Sequence, residues 1–179
     1  MLDLEGCTRL LDLAGGPGTY AELIAQANPG LSVVTVDVPA VSAVAQECVA
    51  QAGLSARIEC RAGDYHTDEY EAEAYDAVTI FGALHQESPE QIRDILSRAA
   101  RALKKDGRIF ILDMMTDRTH TAPPFSALFA VNMALTTQNG WVFSDEELKG
   151  WLAEAGFEPG DAHPVPPPMP HWILSARKA

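Results

Sequence analysis

The sequence predicts an α/β domain: a doubly wound, mostly parallel sheet of seven strands, with helices on both faces and an antiparallel strand pair at the C-terminal end. Three observations carry this expectation. Apolar strand-like runs and helical patterns alternate five times before a final pair of strands. The first run, Arg9 to Leu13, contains Asp12 and passes straight into the turn Ala14-Gly15-Gly16-Pro17-Gly18. The second run, Leu31 to Val36, ends on another carboxylate, Asp37, about twenty residues further on, the separation of a nucleotide-binding βαβ unit.

Each element has its own signal. Thr19 to Ala27 follows the turn as a helix, and Asn28-Pro29-Gly30 stops it. The valine-rich second run reads as a strand buried on both faces. Pro39 to Gln51 reads as a helix stopped by Gly53, and Ala56 to Arg61 as a short strand ending at Gly63-Asp64-Tyr65. An acidic loop, Asp68 to Glu73, leads into the strand Tyr75 to Phe81. Ser88-Pro89-Glu90 supplies a cap, a proline at the first helical position and an acid in the first turn. Ile92, Ile95, Leu96, Ala99 and Leu103 then recur at helical spacing. Lys104 and Lys105 are expected to complement that helix's negative end, with Gly107 as its stop and Arg108 to Asp113 as the next strand. Phe125 to Thr136 is expected as a helix between Pro123-Pro124 and Asn139-Gly140. Ser144-Asp145-Glu146-Glu147 forms a capping box for a helix running to Ala155. Phe157 to His163 and Trp172 to Arg177 are the closing strands, joined by residues 164–170, which are too proline-rich for regular structure.

With 179 residues and no internal repeat or interdomain linker, one domain over 1–179 is expected. The formal charge of −12 argues against a nucleic-acid partner, because phosphate-backbone binders concentrate Lys and Arg. The charge favours a neutral or cationic small molecule. Cys7, Cys48 and Cys60 are odd in number and show no C-x-x-C spacing, so neither a disulfide framework nor a zinc site is expected, and a reducing cytoplasm is the default. No apolar stretch approaches a membrane span and no basic leader precedes the first strand, which points away from a membrane or an export signal.

The chemistry is expected where the strands end. In Asp12-x-Ala14-x-Gly16-x-Gly18, the glycines let backbone approach a ligand and the following helix aims its N-terminus at it. Asp37, followed by Val38, suits a ribose diol. Asp12 suits a ligand ammonium and would repel a pyrophosphate. That favours S-adenosylmethionine over NAD, although Gly16 to Ala21 also fits G-x-G-x-x-A and leaves a nicotinamide dehydrogenase open. Gly63-Asp64-Tyr65 can take an adenine amine on the Asp and the ring on the Tyr, or be an ordinary turn. His85, in the segment after Phe81, can remove a proton from an attacking hydroxyl, or be a structural histidine. Asp113 can fix its tautomer. Met114, Met115, Phe125, Phe129, Met133 and Trp141 are candidates for an apolar acceptor pocket, the helical ones equally readable as core. His66, His120, His163 and His171 are scattered, and no metal site is expected.

Together these segments resemble the catalytic domain of class I methyltransferases, a Rossmann-like fold. More closely they resemble the small-molecule O-methyltransferases that act on caffeate, acetylserotonin and polyketides. Ala83-Leu84-His85-Gln86-Glu87-Ser88-Pro89-Glu90 is similar to the family's L-H-D-W-S-D-E segment, and Gly107 to Asp113 to its G-K-hydrophobic-Glu strand. Gly140 to Phe157 is similar to its final helix, which closes on Glu-Ala-Gly-Phe. The resemblance implies that Gly16, Asp37, Val38, Asp64 and Tyr65 touch S-adenosylmethionine and its product S-adenosylhomocysteine. It implies His85 as the base, with Asp113 where the family has a supporting Glu. Gln86 and Glu87 replace Asp-Trp, and Val142 stands where plant members carry a second supporting Glu. The family's helical N-terminal domain, which dimerises and covers the substrate, has no counterpart in these residues. A fragment of a longer enzyme or a non-catalytic cofactor-binding domain is therefore the alternative, and a homodimer stays open.

Overall fold

A computed structural model describes residues 2–179. It contains seven strands, β1 (Arg9–Leu13), β2 (Ser32–Asp37), β3 (Ile58–Ala62), β4 (Tyr75–Phe81), β5 (Leu103–Asp113), β6 (Phe157–Pro164) and β7 (Trp172–Lys178). They form one sheet in the order β3-β2-β1-β4-β5-β7-β6. Strands β1 to β5 pair in parallel, and β7 runs antiparallel to both β5 and β6. The helices are α1 (Thr19–Ala27), α2 (Pro39–Gln51), α3 (Pro89–Ala102), α4 (Pro124–Thr136) and α5 (Asp145–Glu154). None of the described helices is long and apolar enough to cross a membrane.

Strand alternation explains the two cores. Successive side chains of a strand point to opposite faces. Leu10, Val33, Ala77 and Phe110 therefore meet Ala21, Ile24 and Val49 of α1 and α2 on one face. Leu11, Val34, Val78 and Ile111 meet Ile92, Ile95 and Leu96 of α3 and Leu148 and Trp151 of α5 on the other. Both expected caps form. Ser88 accepts from the Gln91 amide while the Gln91 side chain returns to the Ser88 amide, and Ser144 and Glu147 do the same for α5.

One expectation is corrected. Lys104, Lys105 and Gly107 do not finish α3; the helix stops at Ala102, and the buried Leu103 is already paired with Tyr75 in the sheet. The register then jumps from Tyr75↔Leu103 to Ala77↔Arg108, so residues 104–107 bulge from the strand. Asp106 takes φ 62, and a Cβ on Gly107 would press on the Lys104 carbonyl at 2.8 Å. Lys104 Nζ instead reaches Asp76 Oδ1 at 2.6 Å, beside the amides of Thr8 and Arg9 that donate to Oδ2 of the same carboxylate. Burial of Leu103 and this ion pair override the local helix-end signal.

Candidate active site

Because β1 to β5 are parallel, the turns that follow them lie along one edge of the sheet, on both sides of the point where the strand order reverses between β1 and β4. Ligands of open α/β sheets sit beyond such an edge. Every strand-end carboxylate named from the sequence is on it.

The register dictates the environment of Asp12. Its partners on the neighbouring strands are Thr35 and Thr79. The three side chains form a polar row that Gly15 covers. Thr79 Oγ1 donates to Asp12 Oδ1 at 2.6 Å and Thr35 Oγ1 to Oδ2 at 3.3 Å. Asp12 is only 1% exposed. Burial pushes its pKa up to about 6, against the two hydroxyl donors and with help from Asp37. The carboxylate therefore lies beneath the turn, enclosed by its two hydroxyl donors, and presents no contact at the surface.

Above it the turn is open. Ala14 and Gly16 take φ 54 and 58, Gly18 takes φ 85, and nothing lies within 4 Å of where a Gly16 Cβ would be. Asp37 Oδ2 accepts from the Gly16 amide and Oδ1 from the Val38 amide, both at 2.8 Å. Each oxygen keeps a lone pair for a diol. Val38 is exposed beside it. The Phe81 ring meets the Tyr20 ring edge-on at 5.0 Å and, with Leu112 and Ile173, lines a trough of about 640 Å³ on the α1 face.

On the far side of the edge, His85 sits in a 3₁₀ turn, Leu84–Gln86, which Gly82 at φ 66 and Ala83 lead into. Asp113, 1% exposed at the end of β5, receives the His85 backbone amide on Oδ2 at 3.2 Å and faces the ring Nδ1 with Oδ1 at 2.7 Å. With Nδ1–H donating to the carboxylate, Nε2 carries the ring's lone pair. Phe129 of α4 meets the His85 ring edge-on at 5.1 Å.

The candidate acceptor residues divide. Met114 and Met133 pack together with Val142, Phe129 and Ala130, and Trp141 is tied to this group by its amide, which donates to the His85 carbonyl at 3.1 Å. Two do not join them. Met115, next to Met114 in extended backbone, points to the other side; it belongs to the main core and lines a separate cavity of about 360 Å³ with Thr116, Ala122 and Trp172. Phe125 is 56% exposed on the outer face of α4, with Leu128, Val131 and Leu135. The inner face is set by Ser126, Phe129, Ala130 and Met133, one position round the helix from Phe125.

Sequence reasoning missed a polar cluster at the β3 turn. Asp64, Tyr65 and His66 follow Gly63 there, and the buried Glu87 reaches them from the segment after His85. Tyr65 OH donates to Glu87 Oε1 at 2.6 Å. His66 Nε2 faces Glu87 Oε2 at 2.8 Å, and His66 Nδ1 faces Asp64 Oδ1 at 2.7 Å. Glu87 drew notice only as a replacement for Trp, and no local spacing links it to His66. His120 is likewise engaged: Nδ1 lies 3.1 Å from Thr116 Oγ1, Nε2 lies 3.4 Å from Glu147 Oε2, and its ring meets Trp141.

Comparison with known proteins gives a consistent result. The model of the O-methyltransferase domain family matches residues 1–158. The L-tyrosine C(3)-methyltransferase of Streptomyces lavendulae is 33% identical over 99% of this chain and 49% of its own length. The 3-hydroxy-5-methyl-1-naphthoate 3-O-methyltransferase of Streptomyces sahachiroi is 34% identical over 87% of this chain and 44% of its own. The crystal structure of the S-adenosylmethionine-dependent methyltransferase SibL superposes with a TM-score of 0.86 at 33% identity, covering 98% of this chain and 52% of that one. The chain thus spans about half the length of the relatives it matches.

Proposed function

The chain belongs to the O-methyltransferase domain family of S-adenosylmethionine-dependent methyltransferases, and we propose that it forms a single catalytic domain that methylates a hydroxyl group on a small aromatic or polyketide acceptor, with His85 as the general base. The observation that carries this reading is the His85–Asp113 pair, with Nε2 left as an acceptor beside Phe129 and the Met114–Met133 group.

The residues present fit the cofactor. Nothing lies within 4 Å of where a Gly16 Cβ would be, so the backbone of the turn is bare to a ligand. Asp37 and Val38 would hold the ribose, Asp64 and Tyr65 the adenine, and the turn over Asp12 the amino-acid end. The negative charge buried under that turn suits an ammonium and opposes a pyrophosphate, which supports S-adenosylmethionine over NAD. When bound, the cofactor supplies an electrophilic methyl group.

The remaining work falls to the chain. His85 Nε2 takes the acceptor's hydroxyl proton, and Asp113 keeps Nδ1 protonated and stabilises the imidazolium that results. The apolar side chains of α4 exclude water and align the acceptor. Val142 leaves Asp113 as the carboxylate on the ring, and the 2.7 Å contact supports its sufficiency. A phenolate carries charge on oxygen and on the adjacent ring carbon. The same deprotonation therefore serves carbon methylation, in which the ortho carbon takes the methyl, sulfur leaves as the thioether, and that carbon's own proton is then lost as the oxygen is reprotonated and the ring regains aromaticity. This second reading is favoured by the tyrosine C(3)-methyltransferase relative that matches almost the whole chain. The three unpaired cysteines support a cytoplasmic location as part of the proposal.

The test is a methylation assay over a panel of phenols. His85→Ala is expected to keep S-adenosylhomocysteine affinity and to lose turnover by roughly 10²–10⁴-fold. Unchanged turnover removes His85 as the base. Calorimetry that detects NAD and neither adenosyl ligand overturns the cofactor assignment.

A further inference from the structure

His66 stands between two carboxylates. Its Nδ1 lies 2.7 Å from Asp64 Oδ1, which also accepts the His66 amide at 2.9 Å, and its Nε2 lies 2.8 Å from Glu87 Oε2. A neutral imidazole has one N–H and one lone pair. With both nitrogens at hydrogen-bond distance from carboxylate oxygens, only the doubly protonated ring donates at each. Glu87, 4% exposed, has its other oxygen filled by the Tyr65 hydroxyl, and the Tyr65 ring stacks on the His66 ring at 4.3 Å. The Tyr65 proton is spent on Glu87, so the cation that a buried carboxylate requires here is His66.

Other charges frame the cluster. Arg98 of α3 donates to the carbonyls of Tyr65 and His66, and Glu69 lies 3.8 Å from its guanidinium. Asp94 and Gln91 of α3 line the small cavity beside His66, and Asp68 accepts the Asp64 amide. Arg98 is thus engaged with carbonyls and Glu69, whereas Asp64 and Glu87 face the imidazole directly. Burial alone would lower the His66 pKa; the hydrogen bonds to Glu87 and Asp64 outweigh it and raise it.

We propose that His66, held as an imidazolium between Asp64 and Glu87, is a positioning residue for the adenine end of the cofactor site and couples cofactor affinity to pH. This rests on the reading that the Gly63–Asp64–Tyr65 turn receives the adenine. The imidazolium fixes Asp64 through Oδ1, leaving Oδ2 for an exocyclic amine, and locks Glu87 and, through it, Tyr65. Loss of the ring proton sets a lone pair against a carboxylate oxygen on one side, and the turn loses one of its two anchors.

The test titrates S-adenosylhomocysteine into the full chain by calorimetry from pH 6 to pH 9.5, alongside His66→Phe and Glu87→Gln, with imidazole NMR reporting the His66 proton. Ionisation of the ligand's own amine is common to all proteins and cancels in the ratio of Kd values. The wild-type Kd, relative to that of His66→Phe, is expected to weaken about tenfold, the equivalent of one pKa unit of coupling, as the NMR signal reports loss of the proton. Glu87→Gln, which keeps an acceptor for Tyr65, is expected to move that transition to lower pH. A constant ratio across the range, or a neutral His66 at pH 7, overturns the proposal while the cofactor reading stands. No adenosyl-ligand binding at any pH overturns both.

Discussion

Replacing Asp12 by Asn isolates the charge sealed beneath the glycine turn. The wild-type carboxyl titrates at about 6 in the fold and near 3.8 in the unfolded chain. Between those values the native state keeps a proton that the unfolded state has released. Stability therefore falls as pH rises through this window and is level above it. A gap of about two units corresponds to about 3 kcal/mol. Asn keeps the shape; its oxygen can accept from Thr79 and its amide can donate to Thr35, and it carries no charge. Urea unfolding at pH 3.5, 5, 6 and 7 should show the stability difference between variant and wild type drifting toward the variant by about 3 kcal/mol, with most of the change below pH 6. Whatever fixed offset the altered hydrogen bonds introduce is irrelevant; the slope is the result. A difference that stays constant with pH would show that the fold leaves the Asp12 carboxyl at its ordinary value and would contradict burial as the dominant influence on it.

Three further outcomes follow from neighbouring geometry. Gly15→Ala drives a Cβ into Thr35 Oγ1 and Asp12 Oδ2; chemical denaturation should register a loss of about 1–3 kcal/mol or more, and wild-type stability would show that the turn yields freely. Asp113→Asn can present an amide N–H to Nδ1 and force the proton onto Nε2, so turnover should fall roughly 10²–10⁴-fold with S-adenosylhomocysteine affinity retained; full activity would relieve Asp113 of its supporting role. Asp76, held down to about 2 by Lys104 and the Thr8 and Arg9 donors against the cost of burial, contributes stability above the unfolded carboxylate value that is lost as pH falls through about 2. Asp76→Asn should therefore cost about 2 kcal/mol at pH 7 and progressively less below pH 4, and an equal cost at pH 7 and pH 2.5 would contradict the ion pair.

The parts of this molecule that were legible in the sequence are those whose physics is local. Ser144 announces its helix because a cap and its reciprocal partner lie three residues apart, and Ser88 does so because a cap, a proline and an acid stand in sequence. Asp12, the glycines and Asp37 announce the ligand edge because a βαβ unit fixes their separation. Legibility fails where distant residues decide. The Lys104-Lys105-Asp106-Gly107 run has the composition of a helix end, but Tyr75 and Asp76, far back in the chain, draw Leu103 and Lys104 into the sheet. Phe125, Phe129 and Met133 share a spacing that places them near one another on a helix, yet only the latter two face Met114. Glu87 and His66 lie 21 residues apart and meet only through the packing of α3 against the β3 turn. Asp12 was legible as a carboxylate at a strand tip but not as one enclosed by Thr35 and Thr79, because that enclosure is a cross-strand register.

The parallel run of β1 to β5 places every group assigned to chemistry on one rim and leaves the Asp76–Lys104 clamp at the other. Rim and clamp draw on separate residues. Within the stretch from Met114 through α4 to Val142, Met114, Phe129, Met133 and Val142 form a cluster of their own beside that rim, whereas Met115 belongs to the main core. The relatives named for tyrosine C(3) and for a naphthoate 3-oxygen share this frame while differing in the acceptor their names give.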